Sequence, residues 1–336
     1  MSQTAQSGAG ADIHRLRNAL DAPDNPGIAF DPAPVDGVRV NLSAVERRAA
    51  TLPTRRTVKK AWQAAWLTRA LTCIDLTTLA GDDTPGRVKR LCAKARRPLR
   101  DDLVVALGFE ERPPTVAAVC VYHRFVATSA AALEGSGIPV AAVSTAFPAG
   151  LAPMKTRQAE IEASVADGAG EIDVVITREH VLNGNWQALY DEVAAFKQAC
   201  GSAHMKTILG TGDLRTLRNV GRASWVAMMA GTDFIKTSTG KESVNATLPV
   251  ALTMVRAIRA YRDMTGNIVG FKPAGGISTA KDAMAFQFVM KEELGNDWLQ
   301  SGLFRFGASS LLSDIERQLE YFVTGRYASF DHHPIA

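Results

Sequence analysis

Three lysines and two aspartates draw attention in this 336-residue chain because they interrupt apolar, β-branched runs. Lys236 lies in DFIKTS (233–238), Lys272 in IVGFKPAG (268–275), Lys206 in HMKTILG (204–210), Asp173 in EIDVVIT (171–177) and Asp75 in TCIDLT (72–77). Burying an ammonium inside such a run is costly. Two ammonium groups held close disfavour each other's charged form, and burial adds to this, so one amine becomes partly neutral near pH 7. A neutral lysine amine can attack a carbonyl and form a Schiff base. Asp173, with an inward side chain, would hold a water or move a proton to the carbinolamine. Asp75 and Lys206 read as substrate contacts in the same mouth. The competing reading pairs each lysine with a carboxylate as a brace. Three lysines and an aspartate on consecutive runs favour chemistry.

These residues need a scaffold that brings distant runs together. Eight strand candidates recur along the chain: 72–77, 117–122, 139–145, 171–177, 204–210, 233–238, 268–275 and 303–309. Segments of helical spacing follow them, such as PGRVKRLCAKA, NWQALYDEVAAFKQACG and LPVALTMVRAIRAYRDMTG. Several end in glycine, a common residue just past a helix. Strands alternating with helices of this length predict βαβ units and a parallel sheet. Eight units over about 255 residues predict an α/β fold, a (β/α)8 TIM barrel with an N-terminal helical and flexible extension. In that fold, chemistry sits at the C-terminal ends of the strands.

Glycine-rich loops follow the last three strands. Ser238-Thr239-Gly240-Lys241 follows the sixth, Ala274-Gly275-Gly276 the seventh, and Gly307-Ala308-Ser309-Ser310 the eighth, where it opens a helix. Glycines let backbone N–H groups approach an anion, and a helix N-terminus favours one. The expected phosphate cradle is Gly240, Gly275, Gly276, Gly307, Ser309 and Ser310, with Lys241 adding charge. Two motifs mislead. TSTGKES has Ile235 where a P-loop needs its first glycine, and GTGDLR (210–215) has Arg215 where a dinucleotide fingerprint needs its third.

Composition narrows the class. Hydrophobic residues are 46%, charged residues 21% and net charge +4, with mean hydropathy −0.02. These values describe a globular chain rather than a disordered one. The small basic excess lacks a Lys/Arg block with interleaved aromatics, so no nucleic-acid partner is expected. No apolar run reaches the ~18 residues of a membrane span, and the first residues lack the apolar core of a secretory signal. Cys73, Cys92, Cys120 and Cys200 form no C-x-x-C pair. They read as reduced, buried thiols of a cytoplasmic protein. Cys and His are too dispersed for a zinc site.

Residues 1–44 read as a flexible leader, 45–70 as a helical extension with a solvated basic face, 71–325 as the barrel and 326–336 as a tail. His332 and His333 in that tail read as solvated.

Together, CIDLTTLAGDDT, AAVCVY, EIDVVI, MKTILGTGDL, DFIKTSTGK, VNAT, GFKPAGGI and RFGASSLL resemble deoxyribose-phosphate aldolases, class I aldolases, over roughly residues 70–328. The leader and DIERQLEYFVTGRYASF resemble the longer form found in animals and some bacteria. The resemblance implies Lys236 as the Schiff-base lysine, Lys272 as the second lysine that keeps it neutral, and Asp173 as the proton relay. It also implies reversible cleavage of 2-deoxy-D-ribose 5-phosphate, in deoxyribonucleotide and carbohydrate catabolism. Neither metal nor organic cofactor is expected. The expected partners are small sugar phosphates and aldehydes, and the expected assembly is a homo-oligomer, dimer or tetramer. Three departures are visible. Ser278 replaces a common arginine, His123 a common proline, and Tyr327 and Phe330 are the nearest counterparts of a terminal tyrosine.

Overall fold

The computed structural model describes residues 23–55, 58–329 and 332–333. Strands and helices alternate as the patterning predicts. The strands are β1 (Ile74–Thr77), β2 (Ala118–Tyr122), β3 (Val140–Ser144), β4 (Glu171–Val175), β5 (His204–Ile208), β6 (Phe234–Lys236), β7 (Gly270–Lys272) and β8 (Phe306–Ala308). All neighbours pair in parallel, in the order β7-β6-β5-β4-β3-β2-β1-β8. The ring closes through bridges Phe271↔Phe304 and Ala274↔Gly307. This is a (β/α)8 TIM barrel.

Helices α1 (Pro32–Gly37), α2 (Leu42–Arg55) and α3 (Lys60–Leu71) precede the barrel. Around it lie α4 (Pro85–Arg96), α5 (Asp101–Ala106), α6 (Val126–Leu133), α7 (Met154–Ala166) and α8 (Arg178–Asn183). The ring is completed by α9 (Trp186–Cys200), α10 (Leu217–Met229), α11 (Leu248–Thr265), α12 (Ala280–Leu294) and α13 (Ser310–Thr324). Local chemistry sets many of these boundaries. The side chains of Thr84, Thr216, Thr247 and Thr279 accept N–H bonds at the starts of α4, α10, α11 and α12. Left-handed glycines 184, 266 and 325 end α8, α11 and α13.

Alternation along each strand separates two layers. On β2, Val119 and Val121 join the large apolar core between strands and helices, whereas Ala118 and Cys120 join a small separate cluster with Ala141 and Val143. That small cluster lies inside the barrel.

The described part of the expected leader is docked. Asn25 is fully buried, and its side chain donates to the carbonyls of Met228 and Thr232 at 2.8 and 2.9 Å. Its backbone N–H donates to Asp233 Oδ1 at 2.9 Å. Residues 1–22 lie outside the described residues. The expectation of two solvated tail histidines is corrected at His333. It is 4% exposed, with Nε2 2.9 Å from Glu320 and Nδ1 3.6 Å from Glu316. His332 is exposed. Among the described residues no helix is long and apolar enough to cross a membrane.

Candidate active site

Strand register brings the chemistry-bearing residues together. Lys236 on β6 stands directly opposite Lys272 on β7, and Asp173 on β4 opposite Lys206 on β5. The Lys236 and Lys272 amines both donate to the same oxygen, Asp173 Oδ2, each at 2.7 Å. Lys272 also sits 2.5 Å from Asp75 Oδ2. Lys206 pairs with Glu171 and lies 3.4 Å from Asp173 Oδ1 and 3.9 Å from Asp75. Arg305, just before β8, donates to Asp75 Oδ1 at 2.5 Å and Glu171 Oε1 at 2.7 Å. Below the amines, Phe234 carries Lys206 and Arg305 over its ring at 5.9 and 5.7 Å. Its strand neighbour is Gly270, where a Cβ would come within 2.3 Å of the Phe234 ring. Glycine at 270 is therefore what admits the ring.

Burial raises the carboxyl pKa values, but the surrounding cations outweigh it. Asp173 is held well below its ordinary value by Lys236, Lys272 and Lys206. Asp75 is lowered by Arg305, Lys272 and Lys206, and Glu171 by Arg305 and Lys206. Burial opposes the charge of Lys272, yet Asp173 and Asp75 raise its pKa above the ordinary value. Lys272 is therefore a fixed cation beside Lys236.

The structure brings Lys236, Lys272 and Asp173 together, as the sequence reading anticipates. It does not support substrate contact by Asp75 and Lys206. Both are fully buried and engaged in ion pairs beneath the amines. Glu171 and Arg305 escaped the sequence reading, although each lies two residues from a residue already singled out and so shares its face of the strand. Glu171 precedes Asp173, and Arg305 precedes Gly307.

Above the lysines opens a mouth of about 420 Å³. It is lined by Lys236, Lys241 and the three glycine-rich loops, including Gly240, Gly275, Gly276, Ser278, Gly307, Ser309 and Ser310. Gly275 has φ +81°, and a Cβ there would stand 2.6 Å from Asn245, so the loop needs glycine. One cradle member is already engaged. The N–H groups of Thr239 and Gly240 donate to Glu242 at 3.0 and 3.1 Å. Lys241 Nζ reaches the Leu79 carbonyl at 3.2 Å, across to the loop after β1. Tyr327 does not join the mouth. It stacks on Tyr321 with centroids 4.3 Å apart, and Phe330 lies outside the described residues. Among the described residues no three His, Cys, Asp or Glu side chains are grouped to hold a metal ion.

A parallel barrel with lysines sharing one carboxylate below an anion-friendly mouth has the makings of a carbonyl lyase. The chain belongs to the DeoC/LacD aldolase family, whose model matches residues 69–315; it is an enzyme, a lyase of the aldolase class. It is 57% identical over 314 residues to the deoxyribose-phosphate aldolase of Homo sapiens, covering 93% of this chain and 99% of that one. To the deoxyribose-phosphate aldolase of Mus musculus it is 59% identical over 312 residues, covering 92% and 98%. The fold is shared with a deoxyribose phosphate aldolase from Aeropyrum pernix, described as tetrameric. That match has a TM-score of 0.59 and 22% identity, over 83% of this chain and 99% of that one.

Proposed function

We propose that the enzyme reversibly cleaves 2-deoxy-D-ribose 5-phosphate to D-glyceraldehyde 3-phosphate and acetaldehyde, through a Schiff base on Lys236. The observation that carries this is the placement of Lys236. It is the one of the three barrel lysines that lines the mouth, and Asp173 is its only ion-pair partner among the described residues.

Lys236 Nζ, as the neutral amine, attacks C1 of the open-chain sugar and forms the carbinolamine. Asp173 relays a proton, through water, to the departing hydroxyl, and the iminium forms. The C3 hydroxyl then loses its proton, and the C2–C3 electron pair moves into the iminium. Glyceraldehyde 3-phosphate leaves, and an enamine remains on Lys236. Protonation at C2 and hydrolysis release acetaldehyde and restore the amine. Lys272, charged throughout, disfavours a second positive charge on Lys236. The phosphate lies against the N–H groups of Gly275, Gly276 and the start of α13, near Ser309 and Ser310. Lys241 adds a charge at the rim.

The same reading places the enzyme in the cytoplasm, where its four buried cysteines remain thiols, and as a homo-oligomer, like the Aeropyrum pernix protein. The direct test supplies 2-deoxy-D-ribose 5-phosphate and follows both products by chromatography. Equimolar glyceraldehyde 3-phosphate and acetaldehyde are expected. Turnover of another sugar phosphate with none of this one would overturn the substrate assignment.

A further inference from the structure

The charges inside the barrel do not balance. Lys206, Lys236, Lys272 and Arg305 face Asp75, Glu171 and Asp173, four cations against three carboxylates, and none is more than 3% exposed. An uncompensated charge in so dry a place is unfavourable, and loss of one proton removes it. Three of the cations are held by two or more carboxylates. Arg305 bonds Asp75 and Glu171, Lys272 meets Asp75 and Asp173, and Lys206 meets all three. Lys236 meets Asp173 alone, on an oxygen that Lys272 also uses. Lys236 is therefore the cation of the four with the weakest carboxylate hold. A guanidinium stays charged in proteins, so Arg305 makes the excess permanent.

We infer that Arg305 is a positioning residue for the Schiff-base reaction: by engaging Asp75 and Glu171 from beneath, it leaves Lys236 short of counter-charge and keeps its amine free to attack. The inference rests on the reading of Lys236 as the covalent lysine. The remaining titratable groups do not alter the count. Cys73 faces Arg305, and Cys120 on β2 faces Lys236 and Lys272. Burial raises both thiols, Cys73 to about 12, so neither contributes a negative charge near neutrality. Beyond Cys73 stands the exposed Arg69 of α3, and Lys241 lies exposed at the rim.

The test is the acidic limb of the pH profile of kcat/KM in a charge-altering series. Arg305→Met leaves three cations against three carboxylates, so Lys236 keeps its proton to higher pH. The limb should move up by about one to two pH units. Activity at pH 7 should fall roughly ten- to a hundredfold and recover as pH rises. Arg305→Lys retains the charge and should leave the limb near its wild-type position. Glu171→Gln deepens the excess and should move it down. The double variant Arg305→Met/Glu171→Gln restores an excess of one cation and should bring the limb back. A residue that merely braced the barrel would not give this return. Should Arg305→Met alone fail to fold, the double variant and Glu171→Gln still decide the matter. A double-variant limb displaced upward, or an unmoved limb in folded Arg305→Met or Glu171→Gln, would overturn the inference. Wild-type trapping with acetaldehyde and borohydride separates the two levels. No adduct on Lys236 defeats the Schiff-base reading, whereas an adduct there with unmoved limbs defeats only the role of Arg305.

Discussion

On β2 and β3 the inward positions are Ala118, Cys120, Ala141 and Val143, all fully buried and free of formal charge. Around the rest of the same ring, β1, β4, β5, β6, β7 and the approach to β8 carry seven charged side chains, equally buried. The two sectors touch directly, for Val143 is the register partner of Asp173. Their difference teaches how the fold restrains its own charges. The neutral sector offers the lysines no extra carboxylate, so their ion-pair partners all lie in the charged sector. It also keeps one side of the reacting centre apolar, which strengthens every electrostatic interaction across it. The mouth continues this division, with Leu79, Tyr122 and Phe147 packed on the neutral side and the glycine-rich loops on the other.

The most severe way to break this contrast is to extend the neutral sector onto β6. Lys236→Leu should lower kcat by at least about 10⁴-fold, since the covalent route is lost outright. Near-wild-type circular dichroism should accompany the loss, because Asp173 keeps Lys272 and Lys206 as partners. Activity within tenfold of wild type would place the chemistry elsewhere. The opposite intrusion is Val143→Asp, which puts a fourth carboxylate on the neutral wall and evens the count. Turnover at pH 7 should fall roughly ten- to a hundredfold and return at higher pH, because an added anion favours the ammonium form. An unshifted acidic limb in the folded variant would show that the wall's neutrality is immaterial.

The charged sector should also govern acid stability. Asp75, Glu171 and Asp173 are all depressed from ordinary values of 3.8, 4.5 and 3.8. In that range the unfolded chain binds more protons than the folded one, so stability rises with pH. Their contribution is present above the ordinary carboxyl values and is lost as pH falls through the lower folded-state values. Tm should therefore drop steeply below about pH 4. A flat Tm from pH 5 to pH 3 would contradict the depressed carboxyls.

The mildest change lies at the mouth. Ser278, exposed among the glycine-rich loops of the mouth, offers a hydroxyl where a guanidinium would offer a charge-assisted bond. Ser278→Arg should raise kcat/KM for the phosphorylated sugar by up to about tenfold and barely change it for plain deoxyribose. Equal changes for both sugars would remove the phosphate from the explanation.

Much of this arrangement was legible in the sequence. Eight short, mainly apolar runs mark eight strands, because strands covered on both faces need no polar alternation. Their lengths were less visible. The run 268–275 yields a strand of only Gly270–Lys272, since Pro273 has no N–H to continue the ladder. Lys236, Lys272 and Asp173 were found because charge inside an apolar run is conspicuous. Glu171 and Arg305 were not. Glu171 heads its run, where a terminal charge ordinarily reads as solvated; Arg305 lies inside 303–309, but a guanidinium cannot supply the neutral amine that singles out the lysines. Their role depends on pairing across the ring, between residues 134 positions apart, which no local pattern encodes. The docking of Asn25 and His333 was hidden for the same reason. Asn25 docks on Met228, Thr232 and Asp233, more than 200 positions away, and His333 folds back on Glu316 and Glu320 of the preceding helix, while their own neighbours in sequence are polar or Pro-rich.

In the mechanism proposed above, Lys236, the buried end of the charged sector that lines the mouth, is the amine that bonds carbon. Incubation with acetaldehyde and borohydride, followed by peptide mass spectrometry, reads this directly, because reduction fixes any Schiff base onto its lysine. One two-carbon (ethyl) adduct on the peptide containing Lys236, absent from Lys236→Leu, is the predicted result. An adduct on Lys272 or Lys206 in its place would contradict the account.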